Sequence, residues 1–431
     1  MRLGIRASRF SAMTGWALLL GTVPVALVVA GSDVVFGQSG IESLATTPSF
    51  IAVDLNPRGF ANSWASGISN GYQVGGGSGP VTGDQIHPLL WRGSPASATD
   101  LHPSGFKESL ADGLSGGEQV GDGAIASPQG AYPTHALLWR GGADSVVDLH
   151  PQPSEFIHSS AAATSGGQQV GYGIRSYTED SRALLWRGSA ATVVKLHPSG
   201  FIQSFAVGVA GGEQVGYGDI GSPQGGGSTH ALLWRGSADS VVDLHPRGFS
   251  RSQAVATSGR EQVGYGDILS PQGNWSTHAL LWRGSADSVA DLHPPAFSNS
   301  WAVGTSGGKQ VGYADPPNGD RHALLWLGAA GVVDLNAFLP PGFVGATASG
   351  IDSTGDIVGV AWGPASQNRS HAFLWTRKRT KSNSYLGQHT IRYQSHPTSQ
   401  TLFTTAARGH PWPILSRSRE AETEVSVRFE T

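Results

Sequence analysis

The chain has 431 residues, with 61 Gly, 25 Pro, no Cys and a formal net charge of −3. The missing cysteine excludes disulfides, thiolate metal sites and cysteine nucleophiles, and a turn-forming fifth of the chain falls short of the ~25–30% that marks disorder. Between 41 and 375 there are 26 acidic and 16 basic residues, a surplus that argues against nucleic acid as a partner.

Arg2, Arg6 and Arg9 precede an apolar stretch from Trp16 to Ala30 that is broken by Pro24. This is the form of an export signal, with cleavage expected after Ala30 or, second, after Gly37. The stretch is shorter than the ~20 residues a spanning helix needs. Residues 1–40 therefore read as signal peptide and leader. The mature chain is expected to have no membrane span and to be secreted, extracellular or periplasmic.

From residue 41 the chain repeats. The segment His278-Ala279-Leu280-Leu281-Trp282, or a close relative, ends on Trp91, Trp139, Trp186, Trp234, Trp282, Trp326 and Trp375. Three further landmarks keep step with it: Ala-x-x-x-Ser as at Ala254 to Ser258, Gln-Val-Gly-Tyr as at Gln262 to Tyr265, and Val-Val-Asp-Leu as at Val241 to Leu244. A period of 44 to 49 residues marks a repeat architecture. Short β-branched or aromatic runs between Gly, Pro, Ser and Asp predict four strands per unit. In the Ala-Leu-Leu-Trp strand adjacent residues are all apolar, so both faces must be buried, as in a sheet packed between two others.

The phase of the array predicts its topology. It opens on the fourth landmark, Phe50 to Leu55, and stops on the third, His371 to Trp375. A ring explains that offset, because the N-terminal strand would complete the last blade and remove both open edges. The expected fold is an all-β, seven-bladed β-propeller of four-stranded blades over 41–375. Beyond Thr376 the repeat is lost, and nine basic against four acidic residues predict a basic, disordered tail over 376–431.

His371-Ala372-Phe373-Leu374-Trp375, the preceding Ile351-Asp352-Ser353-Thr354-Gly355-Asp356-Ile357-Val358-Gly359 and the Asp-Leu after each earlier Trp resemble the bacterial extracellular repeat known as the HAF family. The resemblance covers Phe50 to Trp375, and the six earlier copies depart from it in carrying Leu for Phe. It implies an exported repeat protein with no established activity. In architecture alone the spacing of Gly-Gly, Tyr and Trp is similar to kelch propellers.

Eleven of the 15 histidines are repeat positions: six precede the Trp (His87, His135, His230, His278, His322, His371) and five follow Asp-Leu (His102, His150, His197, His245, His293). Spread around a ring, they predict hydrogen bonding within blades and no metal site. The Ser-Pro-Gln-Gly loops at Asp219 to Gly225, Asp267 to Gly273 and Ala124 to Gly130 offer too few carboxylates for calcium. No nucleophile elbow, phosphate loop or zinc helix is present, so no catalytic residue and no cofactor is assigned.

A unique site must break the sevenfold sameness. Arg182 stands for His and Lys195 for Asp in blade 3, and Asp122 stands where Tyr172, Tyr217, Tyr265 and Tyr313 stand elsewhere. The aromatic departures are Trp64, Trp275, Trp301 and Trp362, expected in loops along one continuous arc, where flat side chains would bind a ligand. The functional expectation is an exported, non-catalytic monomer presenting a binding face to polysaccharide or a surface protein. The alternatives are a structural repeat without a ligand and a polysaccharide hydrolase or lyase working from channel-facing carboxylates.

Overall fold

The computed structural model describes residues 48–378 apart from the short segments 126–132, 153–154, 176–179, 222–226, 270–272 and 329–330. The leader, the tail and most of each Ser-Pro-Gln-Gly loop lie outside the described residues. The described chain forms seven antiparallel four-stranded sheets. Blade 2 shows the pattern: Phe106–Ser115, Glu118–Ile125, Thr134–Trp139 and Val147–Asp148, hydrogen-bonded in that order.

Local chemistry accounts for each step of the blade. The first hairpin turns on Gly116-Gly117, both left-handed with φ of 58° and 83°, which is the two-residue connection that matches strand twist. Each first strand then carries a bulge, at Ser66, Asp112, Ala162, Val207, Val255, Val303 and Ser349. Opposite the bulge stands the Gly of Val-Gly. At Gly264 an added Cβ would run into the Gln253 carbonyl oxygen, so only glycine lets the two strands meet.

The third strand is buried on both faces: Leu137, Leu138 and Trp139 are all fully buried. The core is divided among the seams between blades. One cluster joins Val120, Leu138 and Leu149 of blade 2 to Ala161, Leu184 and Trp186 of blade 3, and the other seams repeat the arrangement. Each such Trp buries ~150–250 Å², a gross gain of about 4–6 kcal/mol. Trp326 and Trp375 also donate Nε1–H to the Leu292 and Leu335 carbonyls, at 2.8 and 3.2 Å.

The fourth strand is shorter than its four-residue Val-Val-Asp-Leu landmark suggests. It has two residues in five of the seven blades' equivalents, such as Val147–Asp148, because Asp148 turns its own side chain back to the His150 N–H at 2.8 Å and ends the ladder. A short outer edge offers little for another chain to pair with.

Closure is as the phase of the repeat predicts. Phe50–Asp54 pairs antiparallel with His371–Arg377 as the outer strand of blade 7, placing Ala52 opposite Trp375 and Asp54 opposite Phe373. At the same edge the Lys378 amide donates to the Ser49 carbonyl at 2.8 Å.

Candidate functional site

The first strands stand side by side around the axis of the ring, each touching the first strand of the next blade. One register position on each first strand, with its partner on the second, forms a half-buried belt around this inner wall. The pairs are Trp64 with Gly76, Leu110 with Asp122, Ser160 with Tyr172, Phe205 with Tyr217, Gln253 with Tyr265, Trp301 with Tyr313, and Thr347 with Val360. The rings interlock from blade to blade: Phe205 lies 4.9 Å from Tyr217 and 5.0 Å from Tyr172 of the preceding blade. Burial, with Tyr313 and Tyr217 alongside, pushes the Tyr265 hydroxyl up to about 12, so it acts as a donor, to Gln253 Oε1 at 2.7 Å.

Blade 2 breaks the aromatic belt with acid. Asp122 replaces the tyrosine, and the bulge of its first strand carries Asp112 where other blades carry Ser, Ala or Val. Burial and the Asp122 carboxylate push Asp112 up to about 7. Asp122 is raised by burial too, against the pull of the Ser160 hydroxyl, and Glu108 adds to the rise. Two carboxylates that resist ionising together can hold one proton between them or accept a cationic group. Asp112 was not singled out from sequence: a bulge adds a residue without altering the hydrophobic pattern around it.

Across the ring, blade 6 answers with a cation. Arg321 lies over the Tyr313 ring at 4.5 Å and the Trp301 ring at 5.3 Å, and Nε donates to Asp315 at 2.8 Å.

The four tryptophans do not share one environment. Trp64 and Trp301 sit within first strands rather than in loops, because those strands start three residues earlier than the Ala-x-x-x-Ser landmark suggests. Trp64 packs over Gly76 beside Leu110, and Trp301 stacks on Tyr313 at 5.0 Å. Trp362 covers Gly345 and donates Nε1–H to Asp320 at 3.1 Å. Trp275 alone of the four is largely exposed, at 62%. It borders a cleft of about 490 Å³ with Arg251, Asp267, Thr277 and Asn299.

The repeated histidines hydrogen-bond, as expected of them. His135 Nδ1 lies 2.7 Å from Asp148 Oδ2, and the His135 and His150 rings stack at 4.0 Å. His150 Nδ1 meets Ser159 Oγ at 2.8 Å, and Ser159 Oγ accepts the Ala136 N–H at 3.0 Å. Ser159 belongs to blade 3, so the chain of bonds crosses the seam. Sequence reasoning placed the histidines within blades and missed this serine, whose signal is a Ser two residues before the Ala of the first landmark in six of the seven blades. In blade 3 the two substituted cations do not pair with each other: Arg182 bonds Asp180 and Lys195 bonds Glu155. Among the described residues no group of three or more His, Asp or Glu has the arrangement of a metal site.

No family model matches the chain, and no curated protein matches it. Solved structures do. The β-propeller domain of the Trilobed protease from Pyrococcus furiosus, described as having an open velcro topology, is 10% identical with a TM-score of 0.52, over 74% of this chain and 97% of that one. A Mycobacterium tuberculosis puromycin-hydrolyzing peptidase is 12% identical with a TM-score of 0.44, over 79% of this chain and 58% of its own. A Pyrococcus horikoshii acylaminoacyl peptidase is 9% identical with a TM-score of 0.45, over 80% and 58%. At such identities the likeness is one of fold, and the strand closure of this chain differs from the open velcro topology described for the first. The expectation of an exported, non-catalytic ring presenting a binding face to glycan or protein, with its alternatives of a structural repeat without a ligand and a polysaccharide hydrolase or lyase, is corrected by these neighbours. The shared fold is that of a protease's propeller, and of the four tryptophans meant to anchor the face only Trp275 stands out from the surface.

Proposed function

We propose that this ring is a peptidase-associated propeller whose inner wall receives peptide. The observation that carries the reading is the shared fold with a protease's propeller domain along 97% of that domain. The belt supports it: aromatic rings from Tyr172 to Trp301 supply apolar contact for side chains, and the blade 2 carboxylates Asp112 and Asp122 face them with acceptors for a lysine, arginine or amino-terminal group. The basic leader followed by Trp16 to Ala30 supports export, and the HALLW motif supports kinship with HAF-type repeats.

Fluorescence polarisation with dye-labelled, unstructured decapeptides tests the peptide reading. Saturable binding that favours basic over acidic sequences is expected, weakened at least about tenfold in Asp112→Asn/Asp122→Asn, one lost charge-assisted contact being worth about 1.5–3 kcal/mol. Binding of oligosaccharide with no binding of either peptide set would overturn it.

A further inference from the structure

Every seam between blades is held by a related set of hydrogen bonds, and the residue at its centre is of two kinds. In the seam from blade 1 to blade 2, His102 donates its backbone N–H to Asp100 Oδ1 at 2.8 Å, its Nδ1 meets Ser109 Oγ at 2.7 Å, and its Nε2 meets the Phe106 carbonyl at 3.2 Å. In the seam that closes the ring, Asn56 makes the same three bonds: N–H to Asp54 Oδ1 at 2.8 Å, Oδ1 accepting from Ser63 Oγ at 2.7 Å, and Nδ2 to the Phe60 carbonyl at 3.1 Å. Asn336 takes the position in the seam from blade 6 to blade 7. There it bonds Asp334 through its backbone and accepts the Ala323 N–H directly, with no serine between. Five seams thus carry a titratable ring, at His102, His150, His197, His245 and His293. The two that flank the closing blade carry an amide that cannot titrate.

The hydrogen bonds suit a neutral histidine. Ser159 Oγ accepts the Ala136 N–H and, with its own proton turned to His150 Nδ1, leaves the Nε2–H for the Phe156 carbonyl. This is the neutral tautomer, assigned from its partners. A proton added at Nδ1 reverses that bond: the serine hydroxyl must turn its own proton away and accept from both sides of the seam. It also sets a positive charge 4.0 Å from the His135 ring. An amide in that position has no such second state.

We propose that the ring is an acid-responsive device, in which protonation of the five seam histidines loosens the contacts between blades 1 to 6 while the asparagine seams keep the closing blade locked. The charged and titratable groups facing each histidine differ little. His102 faces His87 and Asp100. His150 faces His135, Asp148 and His158. His245 faces His230 and Asp243, and His293 faces His278 and Asp291. His197 instead faces Arg182, with Asp180 and Arg175 beyond it, so a permanent cation opposes its proton. Burial, then the neighbouring imidazole or guanidinium, holds all five below the usual 6.5, and His150 down to about 4. The unfolded or opened state therefore takes up protons first as pH falls. Resistance to opening is complete above 6.5 and is lost as pH falls below it, down to about 4 at His150, each histidine multiplying the opened population by up to about ten per pH unit between 6.5 and its own lowered value.

Hydrogen exchange followed by mass spectrometry at pH 7.5 and pH 5.0, corrected for intrinsic rates, reads this directly on the full chain. Protection of the first strands of blades 2 to 6 is expected to fall at least about tenfold more than that of Asn62–Ser69 and Gly345–Ile351. Uniform loss, or none, would overturn the proposal. Two single variants keep the test decisive. His150→Asn, copying Asn56, is expected to abolish the acid response of His158–Ser165, and Asn56→His to confer one on Asn62–Ser69. An unchanged pattern in both means that carboxylates elsewhere set the acid response and sinks the proposal.

Discussion

His371 Nδ1 lies 2.8 Å from Asp54 Oδ2, joining residues 317 apart in sequence. The same bond in blade 2, His135 to Asp148, spans 13. In blade 7 the local pair of blades 1, 2, 4, 5 and 6 has become the clasp of the whole ring. Removing residues 50–55 strips Phe50 and Leu55 from two core clusters and leaves the last blade with three strands. The loss is expected to be at least on the order of 5 kcal/mol, seen as a broad, lowered melt. Asp54→Ala alone should cost about 1–3 kcal/mol, and a melt unchanged by the truncation would refute closure.

Asp112 gives a pH dependence of opposite sign to that of the seam histidines. Its carboxyl is pushed up to about 7 from an ordinary 3.8 by burial and by Asp122. The folded state thus takes up this proton before the unfolded state does. The group carries no penalty below 3.8, and the penalty grows as pH rises from there to 7. Asp112→Asn should match the parent near pH 4 and be more stable at pH 8 by a few kcal/mol at most, a figure reduced from the full linkage because the side chain keeps some exposure. Chemical denaturation at the two pH values checks this, and equal stability at pH 8 would contradict it.

Gly264 and Gly236 separate two reasons for glycine. At Gly264 a Cβ meets the Gln253 carbonyl, whereas at Gly236 it meets nothing within 4 Å but the backbone holds φ at 86°. Gly264→Ala is expected to cost more than about 3 kcal/mol by prying two strands apart. Gly236→Ala should cost about 1 kcal/mol of left-handed strain. Urea midpoints at constant slope would show the difference.

The four tryptophans should divide in stability measurements as they do in environment. Trp275→Ala is expected to leave the melting temperature unchanged, since the ring is 62% exposed. Trp301→Ala removes a stack on Tyr313 and the seat of Arg321, with an expected loss of about 2–4 kcal/mol. Equal effects would mean that both rings sit alike.

Trp375→Phe and Trp186→Phe isolate a hydrogen bond. Both indoles are fully buried, but only Trp375 Nε1 has an acceptor, the Leu335 carbonyl. The Trp375 variant should be the less stable by about 1 kcal/mol beyond the shared loss of packing, measured by thermal unfolding of the pair.

The sequence carried the ring well because the ring is made of periodic things. Seven copies of each landmark counted the blades, and the odd phase of Phe50 and Trp375 told how they close. The inner belt was half legible: Asp122 stood out against four tyrosines at one repeat position, but Asp112 entered through a bulge that no alternation of apolar and polar residues records. Ser63 and its equivalents were invisible for another reason. They act on the blade before their own, and a pattern read within one repeat does not say which repeat a hydroxyl will face. The likeness between Asn56 and His102 lies deeper still, since it is one of three shared hydrogen bonds between residues of different chemical class.

The bond from Lys378 to Ser49 means that the two ends of the propeller chain adjoin. Seven near-equal blades with touching ends have no privileged beginning. A peptide link made there and a break made between the third and fourth strands of any other blade would give a permuted chain with every strand still beside its present neighbours. The clasp would simply move to whichever blade had been cut.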